Sequence, residues 1–116
     1  MIARSQKYPS DYLFSLSTNI KNIPKSFFLH QNYPNPFNPN TVIPYSLEDD
    51  VDVKISVYDM LGTLVYDFKG GRQYAGNRSI EWNATNNYGI PVSAGVYIYV
   101  IKAGNFRSTK RLLFLK

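Results

Sequence analysis

Few side chains in this sequence can do chemistry, and their spacing removes most of the options. There is one imidazole, His30, and no cysteine. Without thiols there is no disulfide, no thiolate zinc site and no cysteine nucleophile. A single histidine removes any multi-histidine metal site but leaves a Ser–His–Asp arrangement open. No Gly-x-Ser-x-Gly elbow accompanies it, and a chain this short offers little room for a substrate pocket, so no catalytic residues are expected and the protein is read as not an enzyme. Glu48, Asp49, Asp50 and Asp52 could offer oxygens to Ca²⁺. They lack the spacing and the glycine of a dedicated calcium loop, and read better as a solvated hairpin turn. No metal or cofactor is expected. Trp82, Tyr97 and Tyr99 would make a sugar platform only if exposed, whereas Trp82 alternates with Glu81 and Asn83 as a buried strand residue does. The last seven residues, Lys110, Arg111, Leu112, Leu113, Phe114, Leu115 and Lys116, combine positive charge, apolar alternation and a terminal carboxylate. A receptor could read such a segment by β-augmentation. It also suits an ordinary closing strand whose lysine guards the edge against aggregation, and the two roles are compatible.

The charge around these groups is uneven. The whole chain carries +5 over 116 residues. Residues 1–26 hold Arg4, Lys7, Lys21 and Lys25 against Asp11, a balance of +3. Residues 27–101 hold four bases against seven acids, and residues 102–116 hold Lys102, Arg107, Lys110, Arg111 and Lys116 with no acid. A nucleic-acid binder concentrates base and stacking aromatics on one face. Here the body is mildly acidic and the excess sits at the ends, so no nucleic-acid partner is expected.

The elements that must position these residues are strands. Aromatics make up 16% of the chain, and seven Pro, seven Gly and eleven Asn supply turn chemistry. Val51, Val53, Ile55 and Val57 alternate with Asp52, Lys54 and Ser56, the pattern of a half-buried strand. Ile43, Tyr45 and Leu47 share a face, with Pro44 suited to an edge or a bulge. Leu64–Phe68 reads as a hairpin partner, after which Gly70-Gly71 and Ala75-Gly76 break the chain. Ile80 and Trp82 point inward from the next strand. Val96–Ile101 is almost continuously apolar, as a central strand buried on both faces would be. Phe106–Leu115 returns after the turn at Ala103-Gly104-Asn105. About seven strands with turns every 8–12 residues predict an all-β fold, an antiparallel β-sandwich. Residues 1–26 read as a linker or N-terminal arm, in which Tyr12–Leu16 is an apolar patch able to pair with neighbouring subunits. Residues 27–116 form the domain. No apolar run approaches the roughly 18 residues of a transmembrane helix. Met1-Ile2-Ala3-Arg4-Ser5 opens without an apolar signal-peptide core, so an export signal is expected upstream or of another kind.

Before the first long strand lies Gln31-Asn32-Tyr33-Pro34-Asn35-Pro36-Phe37-Asn38-Pro39. Its three prolines exclude a helix or a central strand and predict an extended strap anchored by Tyr33 and Phe37, covering an open end or edge of the sandwich. This stretch resembles the opening signature of the type A C-terminal sorting domains of the type IX secretion system. Further pieces follow in order. Tyr58-Asp59-Met60-Leu61-Gly62 is similar to the family's Tyr-Asp-x-x-Gly turn. Ala75-Gly76 with Trp82-Asn83 is similar to its Ala-Gly…Trp-Asp stretch. Ser93-Ala94-Gly95-Val96-Tyr97 resembles Ser-Gly-x-Tyr with Ala94 inserted, and Lys110–Lys116 resembles the terminal strand. Thr63 stands where a basic residue is common, and Asn83-Ala84 where Asp-Gly is common. The resemblance spans Pro24–Lys116. It implies that the antiparallel β-sandwich is immunoglobulin-like. It also implies a C-terminal secretion signal that directs cargo across the outer membrane and in many cases is then removed. The implied partners are the translocon and a sortase-like peptidase, and the implied location is secreted or cell-surface, by way of the periplasm and outer membrane. Related immunoglobulin-like modules occur in the flagellar hook-capping protein. The competing reading from the residues is an extracellular structural or adhesion module that assembles with neighbouring subunits.

Overall fold

Period-2 alternation produces two antiparallel sheets whose apolar faces meet. The computed structural model describes residues 24–116, so the arm's apolar patch at Tyr12–Leu16 lies outside the described residues. Seven strands follow in order: β1 (Phe28–Leu29), β2 (Thr41–Leu47), β3 (Val51–Tyr58), β4 (Leu64–Gln73), β5 (Gly76–Trp82), β6 (Gly95–Ala103) and β7 (Phe106–Phe114). One sheet has the order β1-β2-β5 and the other β4-β3-β6-β7. The chain is therefore an all-β immunoglobulin-like sandwich, as expected. Among the described residues no helix is long and apolar enough to cross a membrane.

Each inner face is one alternate set. Leu29, Ile43, Tyr45, Leu47, Ile80 and Trp82 come from the first sheet. Val53, Ile55, Val57, Tyr97, Tyr99, Ile101, Ala103, Leu112 and Phe114 come from the second. Burying a side chain of this size contributes about 1.5–3 kcal/mol, so this set accounts for most of what opposes chain entropy.

Three local expectations are corrected. Gly70-Gly71 does not end a strand: β4 runs through it to Gln73. Lys54 pairs with Lys69 and Val53 with Gly71, so Gly70 is the extra residue of a β-bulge, and Gly71 takes φ +66 beside it. β6 is central in its sheet but buried on both faces only near Val100, because Val96 is exposed and Ile98 half-buried on the outer face. Pro44 sits neither at a bulge nor on the outermost strand. β2 is flanked by β1 and β5, yet Pro44 lies where β1 has just ended. The His30 N–H donates to the Pro44 carbonyl at 3.0 Å. Pro44 has no N–H to return the bond, and the His30 carbonyl accepts the Tyr99 hydroxyl at 2.8 Å instead.

A Cβ at Gly71 would meet nothing within 4 Å, so a substitution there is opposed by its left-handed backbone alone. Gly71→Ala is expected to lower unfolding free energy by about 1–2 kcal/mol with an unchanged urea m-value, measured by equilibrium denaturation.

Candidate functional site

The strap and the terminal strand, far apart in sequence, form one unit. β7 is the last strand of its sheet, so the backbone groups on its open side have no strand partner. The strap supplies partners over the C-terminal half. The Phe37 N–H donates to the Leu113 carbonyl at 3.0 Å, and the Leu115 N–H donates to the Phe37 carbonyl at 2.9 Å. Asn35 Oδ1 accepts from the Leu113 N–H at 2.9 Å, and Gln31 Nε2 donates to the Arg111 carbonyl at 2.7 Å. Toward the start of β7, at Arg107 and Thr109, no backbone bond is made across that edge among the described residues.

The same strap is pinned to the other sheet. Tyr33 exchanges two backbone bonds of 2.8 Å with Val42 of β2. Tyr33 is 76% exposed, so it anchors through its backbone. Phe37 is the buried anchor, stacked on Phe114 at 5.1 Å between centroids and tilted against Trp82 at 5.9 Å. The second buried anchor is Asn32, which the motif contains but whose role spacing did not reveal. Its N–H donates to the Tyr99 hydroxyl at 2.8 Å, and its Nδ2 donates to Thr41 Oγ1 and the Pro34 carbonyl. Pro34, Asn35, Pro36, Asn38 and Pro39 are exposed along the strap.

The remaining motif residues build the scaffold. Tyr58 ends β3, and Asp59 Oδ1 caps the following turn by accepting the Leu61 and Thr63 N–H groups, both at 2.9 Å. Gly62 takes φ +88 in that turn. Trp82 packs on Tyr66 and Tyr97 and donates from Nε1 to the Thr85 carbonyl, so it is core and offers no sugar platform. Tyr97 donates to the Ser93 carbonyl, and Gly95 opens β6 opposite Phe114.

The seven terminal residues do not present one face. Leu112 and Phe114 are buried, while Arg111 and Leu113 lie on the outer face opposite Ile98 and Val96. Lys110 stands on the inner face opposite Tyr99, an inward charge at a sheet edge of the kind that blocks aggregation. Leu115 and Lys116 extend beyond the strand, exposed.

Two other candidate groups take part in structural bonds. His30 Nε2 lies 3.0 Å from Ser46 Oγ, but that hydroxyl donates to Asn77 Oδ1 at 2.8 Å, so the serine accepts from the histidine and is not activated. In the acidic turn, Asp49 Oδ1 accepts the Asp50 N–H and Asp50 Oδ1 accepts the Ala75 N–H. No three His, Asp or Glu side chains converge on a metal position among the described residues.

Burial pushes the Tyr99 hydroxyl up to about 12, with the Asn32 backbone bond opposing it. The folded state holds this proton more tightly than the unfolded chain, so the stabilisation is complete below pH 10 and is lost as pH rises toward 12. Burial raises Tyr45 and Tyr97 in the same direction. Stability is expected to fall by on the order of 2–3 kcal/mol across that window through Tyr99. Tyr99→Phe should flatten the fall and cost about 1–3 kcal/mol at neutral pH, because the buried Asn32 N–H and His30 carbonyl each lose a partner. Chemical denaturation as a function of pH measures both effects.

Comparison with known proteins bears on the fold and on the family. Several solved structures share the architecture. A region of latent PorU from Porphyromonas gingivalis, crystallised as a dimer, aligns at 22% identity and TM-score 0.59, covering 77% of this chain and 9% of that one. PorZ of the same organism, described as an essential bacterial surface component of the type IX secretion system, aligns at 20% identity and TM-score 0.53, covering 78% and 12%. FlgD from P. aeruginosa aligns at 25% identity and TM-score 0.53, covering 64% and 58%. The chain thus spans a small fraction of PorU and PorZ and under two thirds of that FlgD. Among curated proteins no match is found. The model of the FlgD Ig-like domain family matches residues 39–105, more than half of the chain, from the end of the strap to the last turn before β7. The chain belongs to the FlgD Ig-like domain family.

Proposed function

We propose that this domain is a C-terminal sorting domain of the type IX secretion system: a non-catalytic module recognised by the translocon, which carries its cargo across the outer membrane to the surface or the medium and is open to later removal by a sortase-like peptidase. The observation that carries this reading is the bonding between the strap and the terminal strand. The Pro/Asn signature and the basic, apolar chain end are the two pieces most particular to the sorting-domain resemblance, and they meet at Phe37, Leu113 and Leu115. Their meeting leaves Arg111, Leu115 and Lys116 exposed beside the bonded strap, which suits recognition of a folded surface. The likeness of fold to PorZ, a type IX surface component, is consistent with this use.

A second reading, an extracellular structural module that assembles with neighbours, is favoured by one observation. The turn after β3, the loop after β5 and the chain end lie at the same end of the sandwich and expose Met60, Leu61, Tyr88, Ile90 and Leu115. Light scattering over a range of concentrations separates the two: the sorting reading expects a monomer throughout, and self-association that Leu61→Ser with Tyr88→Ser abolishes would favour assembly.

The sorting reading is tested in a bacterium that has the type IX system, with a reporter fused ahead of the domain. Removal of Lys110–Lys116 should leave the reporter in the periplasm. Because that deletion also removes the buried Leu112 and Phe114, the companion variant is Leu115→Ser with Lys116→Ser, which touches exposed residues alone. The companion should retain the parent's thermal midpoint and reduce surface delivery at least severalfold. Normal delivery of both variants would overturn the assignment.

A further inference from the structure

The register of the four-stranded sheet places four cations in one line. Lys69 of β4 is the direct partner of Lys54 of β3, Lys54 of Lys102 of β6, and Lys102 of Arg107 of β7. All four are exposed on the outer face. Neighbouring strands lie about 4.8 Å apart, so the row crosses the whole sheet in about 14 Å. Like charges directly opposite one another destabilise a sheet. Relief within the row is slight: among the described residues the ion pair there is Lys54 Nζ to Asp67 Oδ2, at 4.0 Å. A row that opposes folding yet occupies every strand points to something outside the molecule that neutralises it.

We propose that this row is a binding surface for a linear acidic polysaccharide, laid across the strands. The surroundings favour that occupant over other anions. Asp52, opposite Arg72, lies one step to one side of the row, and Asp67, opposite Ser56, lies one step to the other. A flat anionic membrane resting on the face would lie against both carboxylates together with the cations, whereas a single chain running along the row passes between Asp52 and Asp67. Among the described residues no large apolar side chain is exposed in the row or beside it; Val96, Leu61 and the other exposed ones lie toward the far end of the sandwich or on other elements. A nucleic acid strand therefore finds no aromatic to stack on, and a protein partner finds no apolar centre around which to build an interface. What remains is recognition by charge, suited to a hydrated polymer that bears a carboxylate or sulfate on successive sugars.

The test uses the full chain and fluorescence anisotropy with labelled heparin and labelled polygalacturonate, each over a series of salt concentrations. Poly-L-glutamate, an oligo-dT strand and phosphatidylglycerol vesicles serve as competing probes. Binding to at least one polysaccharide is expected, with log affinity falling linearly with log salt. Lys102→Thr with Arg107→Thr should weaken binding at least about tenfold and lower the salt slope by about two, one for each cation removed. Lys116→Gln should leave binding within about twofold of the parent, since it removes a cation outside the row. The double variant should melt at or above the parent's midpoint, because a like-charge pair has been removed, and this separates lost binding from lost folding. Lys69→Thr, at the opposite edge, gives an independent check on the row. Absence of polysaccharide binding, or binding that the row variants leave unchanged, would overturn the proposal. So would tighter, row-dependent binding of poly-L-glutamate, oligo-dT or vesicles, which would assign the surface to that class instead.

Discussion

The constraint on which the rest of this structure depends is the open edge of its last strand. A β-sandwich closes its core by stacking two faces, but the outermost strand of each sheet keeps one row of unpaired N–H and C=O groups. In this domain that strand is β7, with one neighbour, β6, in its sheet. The strap from Gln31 to Phe37 answers this problem. Its backbone and side chains pair with Arg111, Leu113 and Leu115, while Phe37 is buried against Trp82 and Phe114. The prolines fit this task because a strap that bonds at chosen points gains from positions that cannot join a continuous ladder.

Tyr99 ties the strap to the middle of the opposite sheet. Its hydroxyl receives the Asn32 N–H and donates to the His30 carbonyl, the group left without its usual partner by Pro44. One phenol therefore satisfies two backbone groups, the buried Asn32 N–H and the part-buried His30 carbonyl. The strap is held by one sheet at Tyr33, by the other at Phe37, and by the core between them at Asn32.

Much of this was legible in the sequence, and the limits have physical reasons. Alternation placed the inner faces of β3 and β5, because a strand with one wet face writes a period of two. The turn at Asp59–Gly62 and the last hairpin were marked by residues suited to turns. Gly70-Gly71 was misread because a glycine pair looks the same whether the chain turns or bulges, and only the partner strand decides between them. Tyr33 was read as an anchor, but residue type alone does not distinguish a tyrosine that holds by its ring from one that holds by its backbone. The partners of Asn32 and Tyr99 lie 67 residues apart, beyond any local pattern. The row Lys69–Lys54–Lys102–Arg107 was hidden for the same reason: each lysine is an ordinary outward residue of its own strand, and register alone brings them together.

Amide hydrogen exchange along β7, followed residue by residue by NMR, tests the central claim most directly. The amides of Arg107, Thr109, Leu113 and Leu115 all face the open side of an edge strand. If the strap secures the terminal strand, the Leu113 and Leu115 amides exchange far more slowly than those of Arg107 and Thr109, although they lie closer to the chain end. Exchange at Leu113 and Leu115 as fast as at Arg107 and Thr109 would contradict the account.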